Sequence, residues 1–239
     1  MTAAAVVLDV EGTTSATEHV YGVLFPYARA RIADWVAEHG HEKETRAILD
    51  DVDRIGGRPA GGDDKEAVRA LTEWADADRK VAPLKELQGL IWTAGYDSGE
   101  LSGHVYADTL LALRKWLNGG AQIYIYSSGS VQAQRQLFAH TQFGDLRSRL
   151  SGHFDTRTAG GKRSPDSYRA ITRSVGVPVR QVLFASDTVA ELDAARTAGW
   201  RTAWVVRPEE GGPADSARPP ATGHPVYRNL LAVAEEAQL

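Results

Sequence analysis

The sequence predicts an α/β fold: a doubly wound parallel sheet with an inserted helical domain. Three observations lead there. Four short apolar segments rich in β-branched residues recur at about 4–8, 121–126, 181–185 and 201–206, and the first three run into small polar or acidic residues. Segments with helical spacing separate the last three from one another. The long stretch 15–103, between the first and second, carries helical patterns and no convincing strand. Strands alternating with helices are the signature of crossovers on the faces of a parallel sheet. The apolar segments are nearly continuous rather than alternating, as expected of strands covered on both faces.

Taken in order, Ala4 to Leu8 is short, apolar and bounded by Asp9-Val-Glu-Gly-Thr-Thr14, which reads as a buried strand and its terminating turn. The insert follows, with helical stretches at about Tyr27 to His39, Asp64 to Asp78 and Pro83 to Tyr96, divided by the run Gly56 to Gly62. Residues 1–14 and 104–239 are thus assigned to the core domain and 15–103 to a helical cap. In the core, Leu110, Leu113, Trp116 and Leu117 share one helical face, and Gly119-Gly120 ends that helix. The second strand, Ala121 to Tyr126, runs into Ser127-Ser-Gly-Ser130. Ser164-Pro165 is a helix start, a capping serine with proline at the first helical position, and Gly176 and Pro178 stop that helix. The strand Gln181 to Ala185 leads to Ser186-Asp187, a helix at Val189 to Ala198 ends at Gly199, and Arg201 to Val206 is the fourth strand. Pro208 to Pro225 reads as a loop and Asn229 to Ala237 as a short helix. There is no internal repeat.

Composition narrows the function. With 43% hydrophobic and 24% charged residues the chain is of ordinary globular type. It has no cysteine, which excludes disulfides, thiolate zinc sites and a cysteine nucleophile. A net charge of −4 does not suggest the basic face of a nucleic-acid binder, though net charge alone does not exclude a local patch. The apolar run Ala3 to Leu8 is too short for a membrane span, and no basic segment precedes it as in a secretory signal. The expectation is a cytoplasmic protein without nucleic-acid or membrane partners. It is expected to be a monomer, since no apolar stripe asks for a partner.

Ligands of open parallel sheets bind beyond the carboxyl ends of the strands, where the strand order switches. Three predicted strand ends carry suitable groups: Asp9 with Glu11, Ser127-Ser128, and Asp187 with Glu191. Converging carboxylates suit a hard cation such as magnesium, which takes oxygen ligands and usually shares its shell with water and phosphate. Asp9, Asp187 and a group near Glu11 are the candidate ligands. A carboxylate kept ionised in this way can attack phosphorus and form an aspartyl phosphate. Taken singly, each residue has an ordinary explanation. An Asp after a strand is commonly a turn or cap residue, the serine run a helix cap, Lys162 a solvated lysine and Glu191 a first-turn helix residue.

The joint pattern resembles the haloacid-dehalogenase superfamily. Asp9-Val-Glu11-Gly-Thr is similar to its first motif, Asp-x-Asp-Gly-Thr, with Glu in the second acidic place. Ser127 or Ser128 resembles the second motif, Lys162 ahead of the Ser-Pro helix the third, and Asp187 with Glu191 the fourth. Leu24-Phe-Pro-Tyr27, Leu84-Lys-Glu-Leu-Gln-Gly89, Ile123-Tyr-Ile-Tyr-Ser-Ser-Gly-Ser-Val-Gln-Ala-Gln134 and Gly152-His-Phe-Asp-Thr156 resemble, more narrowly, the bifunctional enolase-phosphatases (acireductone synthases) of methionine salvage. The likeness runs from about Val6 to Arg207 and includes the insert.

This resemblance implies the conversion of 2,3-diketo-5-methylthiopentyl-1-phosphate to 1,2-dihydroxy-3-keto-5-methylthiopentene and phosphate, by enolisation and then dephosphorylation. It implies one Mg2+ per subunit held by Asp9, Glu11 and Asp187, with Asp9 as nucleophile and Glu11 as a candidate acid/base. Ser127, Ser128 and Lys162 would bind the phosphate ester, and Lys162 would offset its charge. The insert would be the cap that closes over the site and excludes water. Ala159-Gly-Gly-Lys162 departs from the Gly-His-Lys of the family. Phe25, Trp92 and Tyr96 are read as packing within the insert. Other phosphatases of the superfamily, a dehalogenase and a non-catalytic binding domain share the fold as alternatives.

Overall fold

The structure, a computed structural model, describes residues 3–211 and 222–236. Its contacts divide the chain into two compact units, Met1–Thr17 with Ser102–Leu239 and, separately, Glu18–Leu101.

The first unit is built on a parallel sheet that, among the described residues, has six strands: β1 (Ala5–Leu8), β2 (Gln122–Tyr126), β3 (Gly152–Phe154), β4 (Val182–Ser186), β5 (Arg201–Val205) and β6 (Val226–Tyr227). Their order is β3-β2-β1-β4-β5-β6. The order reverses between β1 and β4, which is the switch point of a doubly wound sheet. Leu8 pairs with Ile125 of β2 and Ala185 of β4, so the chain leaves all three strands at nearly one level. That register brings the ends of β1 and β4 side by side.

The uninterrupted apolar character of β1 follows from its place in the sheet. Val6 and Leu8 face a core formed with Ile123, Ile125 and Leu183, while Ala5 and Val7 face another with Phe184 and Tyr126. All four β1 side chains have zero exposure, because alternate residues point to opposite faces and both faces are covered. Leu113 and Trp116, on the helix Ala107–Asn118, cover the first face together with Leu230 and Val233 of Leu230–Glu236. Tyr168, Ile171 and Leu192, on Pro165–Val175 and Val189–Thr197, cover the second.

The second unit is helical, and no strand is assigned within it. A π-helical turn, His19–Leu24, runs into Phe25–His39, followed by Lys43–Ile55, Asp64–Asp76 and Ala82–Asp97. In chain order the helices of the whole structure are α1 (Phe25–His39), α2 (Lys43–Ile55), α3 (Asp64–Asp76), α4 (Ala82–Asp97), α5 (Ala107–Asn118), α6 (Val131–Ala139), α7 (Pro165–Val175), α8 (Val189–Thr197) and α9 (Leu230–Glu236). Ile32, Leu49, Val52, Leu71, Leu87 and Ile91 form the core of the insert. The Gly/Pro-rich run is an ordered turn. Buried Asp53 accepts hydrogen bonds from Arg58 Nε and the Gly62 N–H. Phe25 stacks on Trp92 within this unit, and Tyr96 packs with Leu24 and Leu101.

Several details differ from the sequence expectation. Helix α2 adds a fourth α-helix to the insert, and β3 and β6 add two short strands to the sheet. Ser164 precedes α7 with Pro165 at the first helical position, but its hydroxyl makes no cap bond. The expected loop 208–225 opens with a helical turn at Pro208–Glu210, and its residues 212–221 lie outside those described, as does Ala237. Among the described residues no helix is long and apolar enough to cross a membrane.

Candidate active site

Asp9 is the first residue beyond β1, and it is buried, with 4% exposure. The Val10 N–H donates to its Oδ1 at 2.7 Å, and Lys162 Nζ donates to the same oxygen at 2.5 Å. Oδ2 receives a longer contact, 3.3 Å, from Ser186 Oγ. That hydroxyl also lies 3.1 Å from Glu191 Oε2, and a single hydroxyl proton cannot serve both carboxylates at once. Lys162 Nζ closes the cluster at 2.7 Å from Glu191 Oε2.

Lys162 is not a solvated surface lysine, because its side chain is only 9% exposed. Its backbone carbonyl accepts the Tyr168 hydroxyl, which fixes the turn leading into α7. Burial acts to lower the ammonium pKa, but the charges of Asp9 and Glu191 outweigh it and the net shift is upward, so Lys162 stays charged.

Asp187 follows β4. As a whole residue it is exposed, yet desolvation of its carboxyl first, and the charge of Asp9 second, push that group up to about 6. Glu191, in the first turn of α8, is pushed up to about 7 by burial and then by Asp9, against the opposing pull of Lys162. Asp9, Asp187 and Glu191 therefore crowd one ammonium, and the surplus negative charge is what a cation would relieve. Gly12 lies against this cluster with φ +69°, and a Cβ there would come within 2.6 Å of Asp187 Oδ2. Glycine fits both the left-handed backbone and the close approach.

The donor set suits a hard cation, being oxygen-only in a chain without cysteine. Among the described residues, however, no group of three or more His, Asp or Glu side chains is assembled as a metal cluster. Asp9 and Asp187 are brought together. Glu11, half-buried, has its backbone bridged to Ser15, and its side chain does not complete a three-carboxylate cluster.

Ser127 follows β2, the neighbour of β1. It is 3% exposed, its N–H donates to the Phe154 carbonyl, and its Oγ accepts the Gly129 N–H at 3.1 Å. Ser128 is half-buried. The capping role belongs to Ser130, whose Oγ accepts the Ala133 N–H at the start of α6. Three residues that hold this loop were not predicted. Gln134 Nε2 donates to the carbonyls of Gly129 and Phe154, both at 2.9 Å. That orientation leaves Gln134 Oε1 as acceptor, so His153 Nδ1, 3.2 Å away, carries the proton. Burial lowers the His153 pKa to about 4, which keeps the ring neutral. Asp155 accepts the Val131 N–H, and the N–H groups of Arg157 and Thr158 turn back onto the same side chain. Gln134, His153 and Asp155 lie inside the motif segments, but residue type alone gave no sign of their work.

Residues 3–199 match the family model of a haloacid dehalogenase-like hydrolase. The chain is 48% identical over 215 residues to an enolase-phosphatase E1 of Methylococcus capsulatus, covering 90% of this chain and 93% of that protein. It is 46% identical to an enolase-phosphatase E1 of Pseudomonas aeruginosa, covering 99% and 100% respectively. The crystal structure of the UTR4 protein of Saccharomyces cerevisiae superposes with a TM-score of 0.78 at 31% identity, over 95% of this chain and 98% of that one. The matches extend through the insert as well as the sheet, and the chain belongs to the haloacid dehalogenase-like hydrolases and, within them, to the enolase-phosphatase E1 family.

Proposed function

We propose that this enzyme enolises 2,3-diketo-5-methylthiopentyl-1-phosphate and then hydrolyses the phosphate ester, yielding 1,2-dihydroxy-3-keto-5-methylthiopentene and inorganic phosphate in methionine salvage. The observation that carries the reading is the cluster at the switch point: buried Asp9 bound to Lys162, with Glu191 and Asp187 around it.

Asp9 is the nucleophile. Its Oδ1 is occupied by two short donors, whereas among the described residues Oδ2 has only the longer Ser186 contact and keeps lone pairs for attack on phosphorus. The new O–P bond replaces the ester bond, and water later hydrolyses the aspartyl phosphate. Lys162 neutralises part of the charge gathered around the transferring phosphoryl group. Ser127 and Ser128 bind the phosphate beyond β2, on a loop held by Gln134. Glu11 would contribute to the metal site, although its side chain joins no three-carboxylate cluster, and is the candidate base for removing the proton next to the carbonyl.

One Mg2+ per subunit, held by Asp9, Asp187 and Glu11, would neutralise the carboxylate and phosphate oxygens and stabilise charge on the enolate. The crowded carboxylates and the close approach of Asp187 to Gly12 support that assignment. The same reading has the helical insert as the cap domain and the enzyme acting as a monomer in the cytoplasm, without nucleic-acid or membrane partners. Phosphate release assayed after chelation tests the metal requirement. Activity lost to chelator and restored by Mg2+ is the expected result; full activity in chelator overturns it.

A further inference from the structure

Arg207, just beyond β5, is among the largest fully buried side chains of the protein, with 2% exposure. Its guanidinium makes a two-pronged pair with Asp108, Nη1 to Oδ1 and Nη2 to Oδ2, both 2.9 Å. Nε and Nη2 also donate to the Thr13 carbonyl at 2.9 and 2.7 Å. The plane lies 3.9 Å over the Tyr106 ring. Asp108 Oδ2 additionally accepts the Leu230 N–H at the start of α9. A buried ion pair is weak support for stability, since desolvation offsets much of its attraction. What a planar fork supplies instead is direction: it fixes a carbonyl and a carboxylate at once.

The carbonyl it fixes belongs to the turn that follows Asp9. Thr13 is fully buried, and its Oγ1 accepts the backbone N–H of Asp187 at 3.0 Å. Gly12, its neighbour, is the residue packed against Asp187 Oδ2. The next carbonyl, of Thr14, is held by the Tyr106 N–H and Thr109 Oγ1. Tyr106 in turn donates its hydroxyl to Glu210, which accepts the Thr17 N–H. The turn is thereby clamped on one side by Arg207 and joined on the other to Asp187.

We infer that Arg207, locked by Asp108, is a positioning residue that acts through Thr13 to set the place of Asp187, and so tunes metal affinity without touching metal or substrate. The inference rests on the proposed role of Asp187 as a metal ligand. Thr13→Val removes the hydroxyl acceptor and keeps the shape, Thr13→Ser keeps the acceptor, and Arg207→Lys removes the fork.

Binding of Mn2+ to the metal-free full chain, followed by the electron paramagnetic resonance of free Mn2+, reads the effect without turnover. Circular dichroism confirms folding of each variant. Thr13→Val and Arg207→Lys should each weaken Mn2+ binding roughly tenfold or more, with Thr13→Ser close to wild type. If Arg207→Lys fails to fold, Asp108→Asn, which releases the same guanidinium, takes its place. Wild-type affinity in folded Arg207→Lys, Asp108→Asn or Thr13→Val, or equal losses in Thr13→Val and Thr13→Ser, overturns the inference even where Asp187→Asn abolishes binding. Unchanged binding in Asp187→Asn instead overturns the metal reading, and the inference falls with it.

Discussion

Lys162 Nζ lies 2.5 Å from Oδ1 of Asp9, and the two residues are 153 positions apart in the chain. The contact joins the turn before α7 to the end of β1, and it leaves Oδ2, the oxygen proposed to attack, to the longer Ser186 contact. Lys162→Met should therefore lower the rate of phosphate release by roughly 10²–10³-fold, the scale of losing one aimed electrostatic donor. Lys162→Arg should not restore it, because a planar fork does not replace a compact ammonium between Asp9 and Glu191. Turnover within a few-fold of wild type in the Met variant would contradict this role.

The raised pKa values of Asp187 and Glu191 predict a pH-dependent stability in the metal-free protein. Each carboxyl is above its ordinary value when folded, about 6 and about 7 respectively. Between the unfolded and folded values the native state holds protons that the unfolded chain has released. Stability contributed by these groups is therefore lost as pH rises through that window. Asp187→Asn should gain in melting temperature relative to wild type as pH goes from 5 to 8 without metal, and Mg2+ should shrink or reverse the gain. A difference that does not change with pH contradicts the proposed crowding.

Gln134→Leu tests the serine loop. The substitution removes the donor to the Gly129 carbonyl, whereas the Phe154 carbonyl keeps the Ser127 N–H. Gly129 is only half-buried, so the lost partner should cost about 1 kcal/mol, a shift that urea denaturation would resolve. The kcat/KM for phosphate release should fall with it, because the loop carrying Ser127 and Ser128 loses its tie. An unchanged urea midpoint would argue against that tie.

Gly12→Ala should reduce both stability and metal binding. A non-glycine residue at φ +69° costs about 1–3 kcal/mol, and the added methyl would sit 2.6 Å from Asp187 Oδ2. Thermal unfolding with and without Mg2+ measures both effects. Equal stabilisation by Mg2+ in variant and wild type would mean that this close approach plays no part in the metal site.

The parts legible in the sequence were those written locally. Strand β1 is buried on both faces, so its four apolar residues announce it, and Asp9 stands where the run stops. Strands β3 and β6 have three and two residues and lack a fully buried pattern, so no periodicity could mark them. Helix α2 sets its core residues Ile48, Leu49 and Val52 among seven charged ones in Lys-Glu-Thr-Arg-Ala-Ile-Leu-Asp-Asp-Val-Asp-Arg-Ile, beside the Gly-rich turn, so the segment is polar on average although its apolar face is well formed. Arg207 meets the Thr13 carbonyl across 194 positions, and the burial of Lys162 depends on a similarly distant partner. Relationships of that kind exist only once the sheet has brought the strand ends together.

Enolisation and phosphate release are proposed to occur at one site. The measurement is the ultraviolet absorbance of an anaerobic mixture of the enzyme, Mg2+ and 2,3-diketo-5-methylthiopentyl-1-phosphate, with free phosphate assayed on the same samples. Enediol absorbance together with phosphate is expected, both lost in chelator and in Asp9→Asn. Phosphate without any enediol signal, or neither signal from folded enzyme, would contradict it.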